Sequence, residues 1–354
     1  MKKFMLLFAA FSFVFALAAC GGSETFEIAM ITDYGDIDDE SFNQGTWEGI
    51  VAWATANDKT YQYYRPSEVS DAAYLESIEL AINAGARIVI TPGFLFGNAV
   101  GEAQDLHPDV KFVLLDAVPA GGTGENTVSI LFAEHESGFL AGYAAVRNGA
   151  RRLGFMGGIA VPAVVRFGVG YIAGAYYAAD ELGENISFPA NRYAYLGTFG
   201  PSDEVRTRAL SWYQDGTDII FAAAGGAGTS VMSAAEAANR PMVGVDVDQS
   251  YLSTSVLTSA MKDLGSAVAT ALDGFYGDSF PGGEVLTLGA SNNGVALPSD
   301  LSRFTDFTTV DYNTIFNRVA TGAINVPASH AELVAFLNAQ GISGLQIGAS
   351  DIQP

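Results

Sequence analysis

The chain has 354 residues, with 17 Lys and Arg against 39 Asp and Glu and a net charge of −22. An acidic surface of that size repels phosphate backbones and anionic headgroups, which argues against nucleic acid as a partner. A hydrophobic share of 49% argues against a disordered chain, and the length is enough for two domains with substantial cores.

The first element in chain order is a leader. Lys2 and Lys3 precede an apolar stretch, Phe4 to Leu17, whose sole polar residue is Ser12. Its 14 residues fall short of the roughly 20 that a membrane-spanning helix needs, so it reads as a secretory signal over residues 1–19. Leu17-Ala18-Ala19-Cys20 resembles the lipobox of bacterial lipoproteins, in which the cysteine is lipidated and becomes the new N-terminus. Cys20 is the only cysteine, so no disulfide is available. Cleavage before it removes both lysines and takes the charge from −22 to −24. Residues 20–26, with Gly21-Gly22-Ser23-Glu24, read as a short tether to a membrane surface.

Past Glu27, short apolar runs alternate with helical patterns. Strands are expected at Ile28–Thr32, Tyr61–Tyr64, Arg87–Thr91, Lys111–Asp116 and Thr127–Phe132. Helices are expected between them at Ser41–Ala54, Ala72–Ala84 and Glu134–Asn148. The pattern restarts with strands at Leu153–Met156, Arg192–Leu196, Asp218–Ala222, Met242–Val247 and Ser255–Ser259. Its helices are Val164–Leu182, Asp203–Gln214, Thr229–Asn239 and Lys262–Tyr276, and two more follow at Asp311–Ala320 and Ala331–Ala339. Such alternation predicts parallel sheets with right-handed crossovers. Two successive sets predict two doubly wound α/β lobes. The expected first crossing is Arg147–Arg152 and the second lies near Asp246–Tyr251. One lobe then takes residues 27–147 plus about 250–300, and the other takes 148–249 plus part of 301–354.

Ligands of open parallel sheets bind beyond the carboxyl ends of the strands. Those ends carry Asp33, Pro92-Gly93-Phe94, Asp116, Gly157-Gly158, Gly225-Gly226-Ala227-Gly228 and Asp246. Acidic and glycine-rich ends suit hydroxyls and amines better than phosphate, and no Gly-x-x-x-x-Gly-Lys-Ser/Thr loop is present. The densest polar cluster is Asp33-Tyr-Gly-Asp-Ile-Asp-Asp-Glu-Ser-Phe-Asn-Gln44, between a strand and a helix. It fails the calcium-loop pattern, which needs glycine at the sixth position and a Glu where Trp47 stands. Asp38 or Asp39 is expected to cap the following helix. Phe42 either packs into the core or offers a flat face to a planar ligand. Gly168-x-Gly170-x-x-x-Gly174 has the wrong spacing for a dinucleotide loop and reads as close helix packing. Ser259-x-x-Lys262 lacks the companion motifs of penicillin-recognising enzymes. His107, His135 and His330 are not spaced as metal ligands. Neither an activated nucleophile nor a zinc pattern is found, which points to a binding protein that needs no metal or cofactor.

Several motifs together resemble the Bmp (basic membrane protein) lipoproteins, nucleoside-binding receptors of ABC transporters. They are Asp33-x-Gly35, Asp39-x-Ser41-Phe42-Asn43-Gln44, Trp47-Glu48-Gly49, Gly93-Phe94 and Phe112 to Asp116. Gly154-Phe155-Met156-Gly157-Gly158, Arg166-Phe167 through Gly174 and Ala223-Ala224-Gly225-Gly226-x-Gly228 continue the likeness. Gly244-Val245-Asp246-x-Asp248-Gln249 and Thr258-Ser259-x-x-Lys262 complete it. The likeness spans about Ile28 to Gly294 and departs at Glu40, where the family usually has lysine. It implies a type I periplasmic-binding-protein fold, two lobes joined by a hinge, closing on a purine nucleoside such as guanosine, adenosine or inosine. By the resemblance, Phe42 and Phe167 sandwich the base, Asn43 and Asp116 bond its edge with Asp33 nearby, and Gly225, Asp246 and Lys262 hold the ribose. It also implies ABC permease and ATPase subunits as partners. Two other readings stay open: the same fold with a sugar or signalling ligand, and a nucleoside hydrolase. The hydrolase calcium motif is only mimicked by Thr32 to Asp39, since Ile31 stands where its first aspartate belongs and Asp36 is an insertion.

Overall fold

The structure, a computed structural model, describes residues 25–353. The leader, Cys20 and most of the tether lie outside the described residues.

Six strands make the first sheet: β1 (Ile28–Ile31), β2 (Tyr61–Tyr64), β3 (Ile88–Pro92), β4 (Lys111–Leu115), β5 (Thr127–Phe132) and β11 (Val285–Leu288). Their spatial order is β2-β1-β3-β4-β5-β11. The second sheet holds β6 (Leu153–Gly157), β7 (Tyr193–Tyr195), β8 (Ile219–Ala223), β9 (Met242–Asp246), β10 (Val256–Lys262) and β12 (Val295–Ala296). Its order, β7-β6-β8-β9-β10-β12, repeats that of the first. Neighbouring strands run parallel, except β12, which is antiparallel to β10. Strand β1 shows why its sequence makes a central strand. All four residues are buried, with Ile28 and Met30 in one core cluster and Ala29 and Ile31 in another on the opposite face. A parallel strand covered on both faces is apolar throughout.

The helices are α1 (Phe42–Ala56), α2 (Asp71–Asn83), α3 (Gly97–Leu106), α4 (Glu134–Arg147), α5 (Pro162–Leu182), α6 (Asp203–Gln214) and α7 (Gly228–Ala238). They continue with α8 (Leu264–Tyr276), α9 (Thr309–Ala320), α10 (His330–Ala339) and α11 (Ala349–Ile352). The expected elements are present within a few residues at each end. Four were not expected: the glycine-interrupted α3, the four-residue α11, and β11 and β12, a half-exposed edge strand and a two-residue one.

Both expected crossings move. Helix α4 packs along α5 and against β10, so the chain enters the second lobe at Ala133 and not at Arg147–Arg152. Glycines draw this helix across. A Cβ on Gly138 or Gly142 would run into the carbonyls of Phe167 or Tyr171, and one on Gly170 or Gly174 into those of His135 or Phe139. A glycine inside a helix costs roughly 0.5–1 kcal/mol relative to alanine, and here it lets two helix backbones touch. The packing reading of Gly170 and Gly174 therefore holds. The return is also later than Asp246–Tyr251. Strand β10 pairs with β9 in the second sheet, and only α8, after Asp263, packs on α1 in the first lobe. A third crossing joins β11 to β12. The tail stays with the second lobe: Tyr176 donates to the Gly344 carbonyl at 3.0 Å and Tyr195 to that of Ile352 at 2.7 Å.

Candidate ligand-binding site

The loop after β1 is organised by one carboxylate. Asp39 Oδ1 accepts from the Ser41 and Gln44 amides at 2.9 and 3.0 Å, and Oδ2 accepts from the Asn43 amide at 3.0 Å. Asp39, not Asp38, therefore satisfies the donors at the start of α1. Burial pushes its carboxyl up to about 6 even against these bonds. Asn43 Nδ2 donates to both Asp33 Oδ1 and Asp39 Oδ2 at 2.9 Å, and its Oδ1 accepts from the Asp33 amide at 3.3 Å. Both amide hydrogens are thus spent on bracing two carboxylates. Asp33, raised by burial, keeps Oδ2 without a hydrogen bond from the described residues. That oxygen sits beside Gly93, where a Cβ would come within 2.5 Å of it and where φ is +130°.

Two aspartates end equivalent strands, β4 and β9, each fourth from the same edge of its sheet. Asp116 and Asp246 both have left-handed backbones, with φ of 61° and 64°. Aspartate visits this region more readily than most residues, yet such backbones are over-represented at ligand sites. The last residue of β10 lies between the two. Lys262 Nζ donates to Asp116 Oδ2 at 2.6 Å and lies 3.5 Å from both Asp246 Oδ1 and Glu134 Oε1. Burial would lower the Lys262 amine, but three carboxylates outweigh it and hold the amine above its usual range. Burial pushes Asp116 up to about 7 against the pull of Lys262, with Glu134 and Asp246 adding to the rise. Asp116 Oδ1 is buried and unpartnered among the described residues. Asp246 Oδ2 accepts from Ser41 Oγ at 2.6 Å, so the knot ties one lobe to the other. More bonds cross the rim: Gln249 Nε2 donates to the Glu40 carbonyl at 2.7 Å, and the Tyr34 and Thr198 hydroxyls are 3.0 Å apart.

All eight ligand residues named from the sequence (Asp33, Phe42, Asn43, Asp116, Phe167, Gly225, Asp246 and Lys262) line one interlobe cavity. Lys262 Nζ lies 4.5 Å from the ring centre of Phe42 and 5.2 Å from that of Phe167. Phe42 is half-buried, serving core and cavity at once. Phe167 is only 2% exposed and meets Phe221 edge-on, so little of its ring faces the cavity. Half-buried Phe199, which the sequence reading missed, also lines the cavity and sits against Gly158 and Gly225. Exposed Phe94 lines it too, and Glu134 and Arg166 stand behind Lys262. Phe199 and Glu134 follow the ends of β7 and β5, two strand ends left out of the sequence inventory. The other motifs stay structural. Ser259 and Lys262 lie three apart on a strand and so face opposite ways, and Ser259 Oγ accepts from the Gln249 amide at 3.1 Å. No group of metal-ligating side chains occurs among the described residues.

Two α/β lobes with a polar and aromatic cavity between them make up the type I periplasmic-binding-protein fold. The comparisons agree. A family model described as "ABC transporter substrate-binding protein PnrA-like" matches residues 26–330, and the chain belongs to this Bmp family. It is 32% identical over 295 residues to the ABC transporter nucleoside-binding protein BmpA of Lactococcus lactis, covering 77% of this chain and 81% of that protein. It is 28% identical to basic membrane protein A of Borreliella burgdorferi, covering 95% and 99% of the two chains. A solute-binding protein of an ABC transporter system from Aeropyrum pernix superposes with a TM-score of 0.76 at 20% identity, over 89% of this chain and 97% of that one. These are binding proteins, and the hydrolase reading falls with that finding.

Proposed function

We propose that the protein captures purine nucleosides outside the cytoplasm and hands them to the permease and ATPase subunits of an ABC transporter. The observation that carries this is the joint lining of one interlobe cavity by the Phe42 and Phe199 rings and by Asp33, Asp116 and Asp246. A flat base takes aromatic faces, and its ring N–H and amino donors take carboxylates, with charge-assisted bonds the stronger kind. The base stacks on Phe42, and Phe199 supplies the second face more readily than Phe167, whose ring is nearly buried. Asp33 and Asp116 read the base edge, and Asn43 holds Asp33 in place instead of reaching the base itself. Asp246 accepts the ribose hydroxyls, Lys262 donates to them, and Gly225 lets the sugar approach the backbone. Cys20, acylated, tethers the protein to the membrane.

Melting curves with guanosine, adenosine and inosine test the ligand class. A ligand at 100 times its Kd stabilises the native state by about 2.7 kcal/mol. For a chain of this size that is a rise of several degrees in Tm. No shift with any of the three, beside a shift with a sugar, rejects the nucleoside reading.

A further inference from the structure

The nucleoside reading leaves a charge problem at Lys262. Two of its three carboxylates, Asp116 and Asp246, line the cavity, where ligand donors must compete with the ammonium for their oxygens. The third, Glu134, has a fully buried side chain and is not part of the cavity lining. It opens α4, the helix that Gly138 and Gly142 let settle on α5. Its Oε2 accepts from Arg166 Nε of α5 at 2.5 Å, and its Oε1 faces Lys262 at 3.5 Å and accepts no hydrogen bond from the described residues. Burial would raise the Glu134 carboxyl, but Lys262 and Arg166 together hold it below its usual range.

We infer that Glu134, clamped by Arg166, is the standing counter-charge of Lys262, keeping the ammonium in place while Asp116 and Asp246 turn their oxygens to the ligand. The inference rests on the nucleoside reading of the same cavity, because it assigns those two aspartates to ligand donors. Glu134 is thus a positioning residue that acts through Lys262. A buried ammonium keeps its charge only with a partner, and a partner out of the ligand's reach is the one that ligand entry does not disturb.

The test has a ligand-free arm and a ligand arm. Only Lys59, Lys111 and Lys262 among the lysines fall within the described residues, so 15Nζ-lysine NMR can single out Lys262 by the signal that Lys262→Met removes. Wild type is expected to give a slowly exchanging ammonium signal, and Glu134→Gln to speed its exchange at least about tenfold. Unchanged exchange overturns the inference. In the ligand arm, Glu134→Gln is expected to weaken adenosine binding about tenfold in the wild-type background and less than about twofold in Lys262→Met. Equal losses in both backgrounds would mean a purely structural role and overturn it as well. Should Glu134→Gln fail to fold, Glu134→Asp keeps the charge at a longer reach and is read in the same two arms, with smaller losses in the same pattern. A wild type that binds no nucleoside rejects the function, while the NMR arm still decides the role of Glu134.

Discussion

Asp246→Asn is the substitution whose effect the structure constrains best. Asparagine tolerates the left-handed backbone that Asp246 adopts, so the change carries little conformational cost, unlike an alanine there. The side chain now has one acceptor oxygen where it had two. Ser41 Oγ already claims one oxygen at 2.6 Å, and Lys262 Nζ stands 3.5 Å from the other. The new NH2 group therefore points a donor either at the Lys262 ammonium or at Ser41 Oγ, and in either case the charged acceptor for a ribose hydroxyl is gone. Hydrogen bonds to charged groups contribute about 1.5–3 kcal/mol each. Losing one such bond weakens binding about 10- to 150-fold, at 1.4 kcal/mol per decade. Calorimetric titration with adenosine and with adenine separates the sugar from the base. The nucleoside should lose that factor and the free base, which has no hydroxyls, should lose far less. Equal losses for the two ligands would refute the assignment of Asp246 to the ribose, and no loss for either would remove Asp246 from the site.

Phe42→Ala and Phe199→Ala should each weaken every planar base by a similar factor, about 1–3 kcal/mol per stacking face, while Phe167→Ala should act mainly on melting temperature; titration with three different purines compares them. Asp116 and Asp39 have folded values raised to about 7 and about 6, so their contribution to stability is complete below about pH 4 and is lost as pH rises through 6–7. The ligand-free Tm should therefore fall between about pH 4 and 7, and nucleoside-induced stabilisation should grow over the same window as a ligand donor replaces the Asp116 proton. Gly170→Ala should destabilise by about 1–3 kcal/mol, read as a lower denaturant midpoint, because the added carbon meets the His135 carbonyl of α4. Cys20→Ser should abolish incorporation of labelled palmitate and partitioning into detergent, and retained partitioning would count against the lipid tether.

The sequence exposed the parts of this fold that obey a local rule. Fully apolar runs such as Ile28–Ile31 mark central parallel strands, and the residues at or just past their ends, Asp33, Asp116 and Asp246, fall at the cleft because strand ends must. What local pattern cannot carry is which lobe an element joins. Helix α4 looks like one more crossover helix of the first set. Its lobe is decided by the close approach of α4 and α5 backbones that Gly138, Gly142, Gly170 and Gly174 allow, a contact between helices that no single window contains. Strand β10 was cut short for a similar reason, since Lys262 reads as the polar start of a helix until its three carboxylates are in view. The proposed preference for Phe199 over Phe167 as the second stacking ring has the same origin: the two are equally aromatic in sequence, and only burial separates them.

The central claim, a cavity that receives a purine nucleoside intact, is tested most directly by titrating the protein with inosine in a calorimeter and then analysing the mixture by chromatography. Saturable one-to-one binding and complete recovery of inosine are the expected result. Absence of binding by inosine, guanosine and adenosine alike, or release of free hypoxanthine, would contradict it.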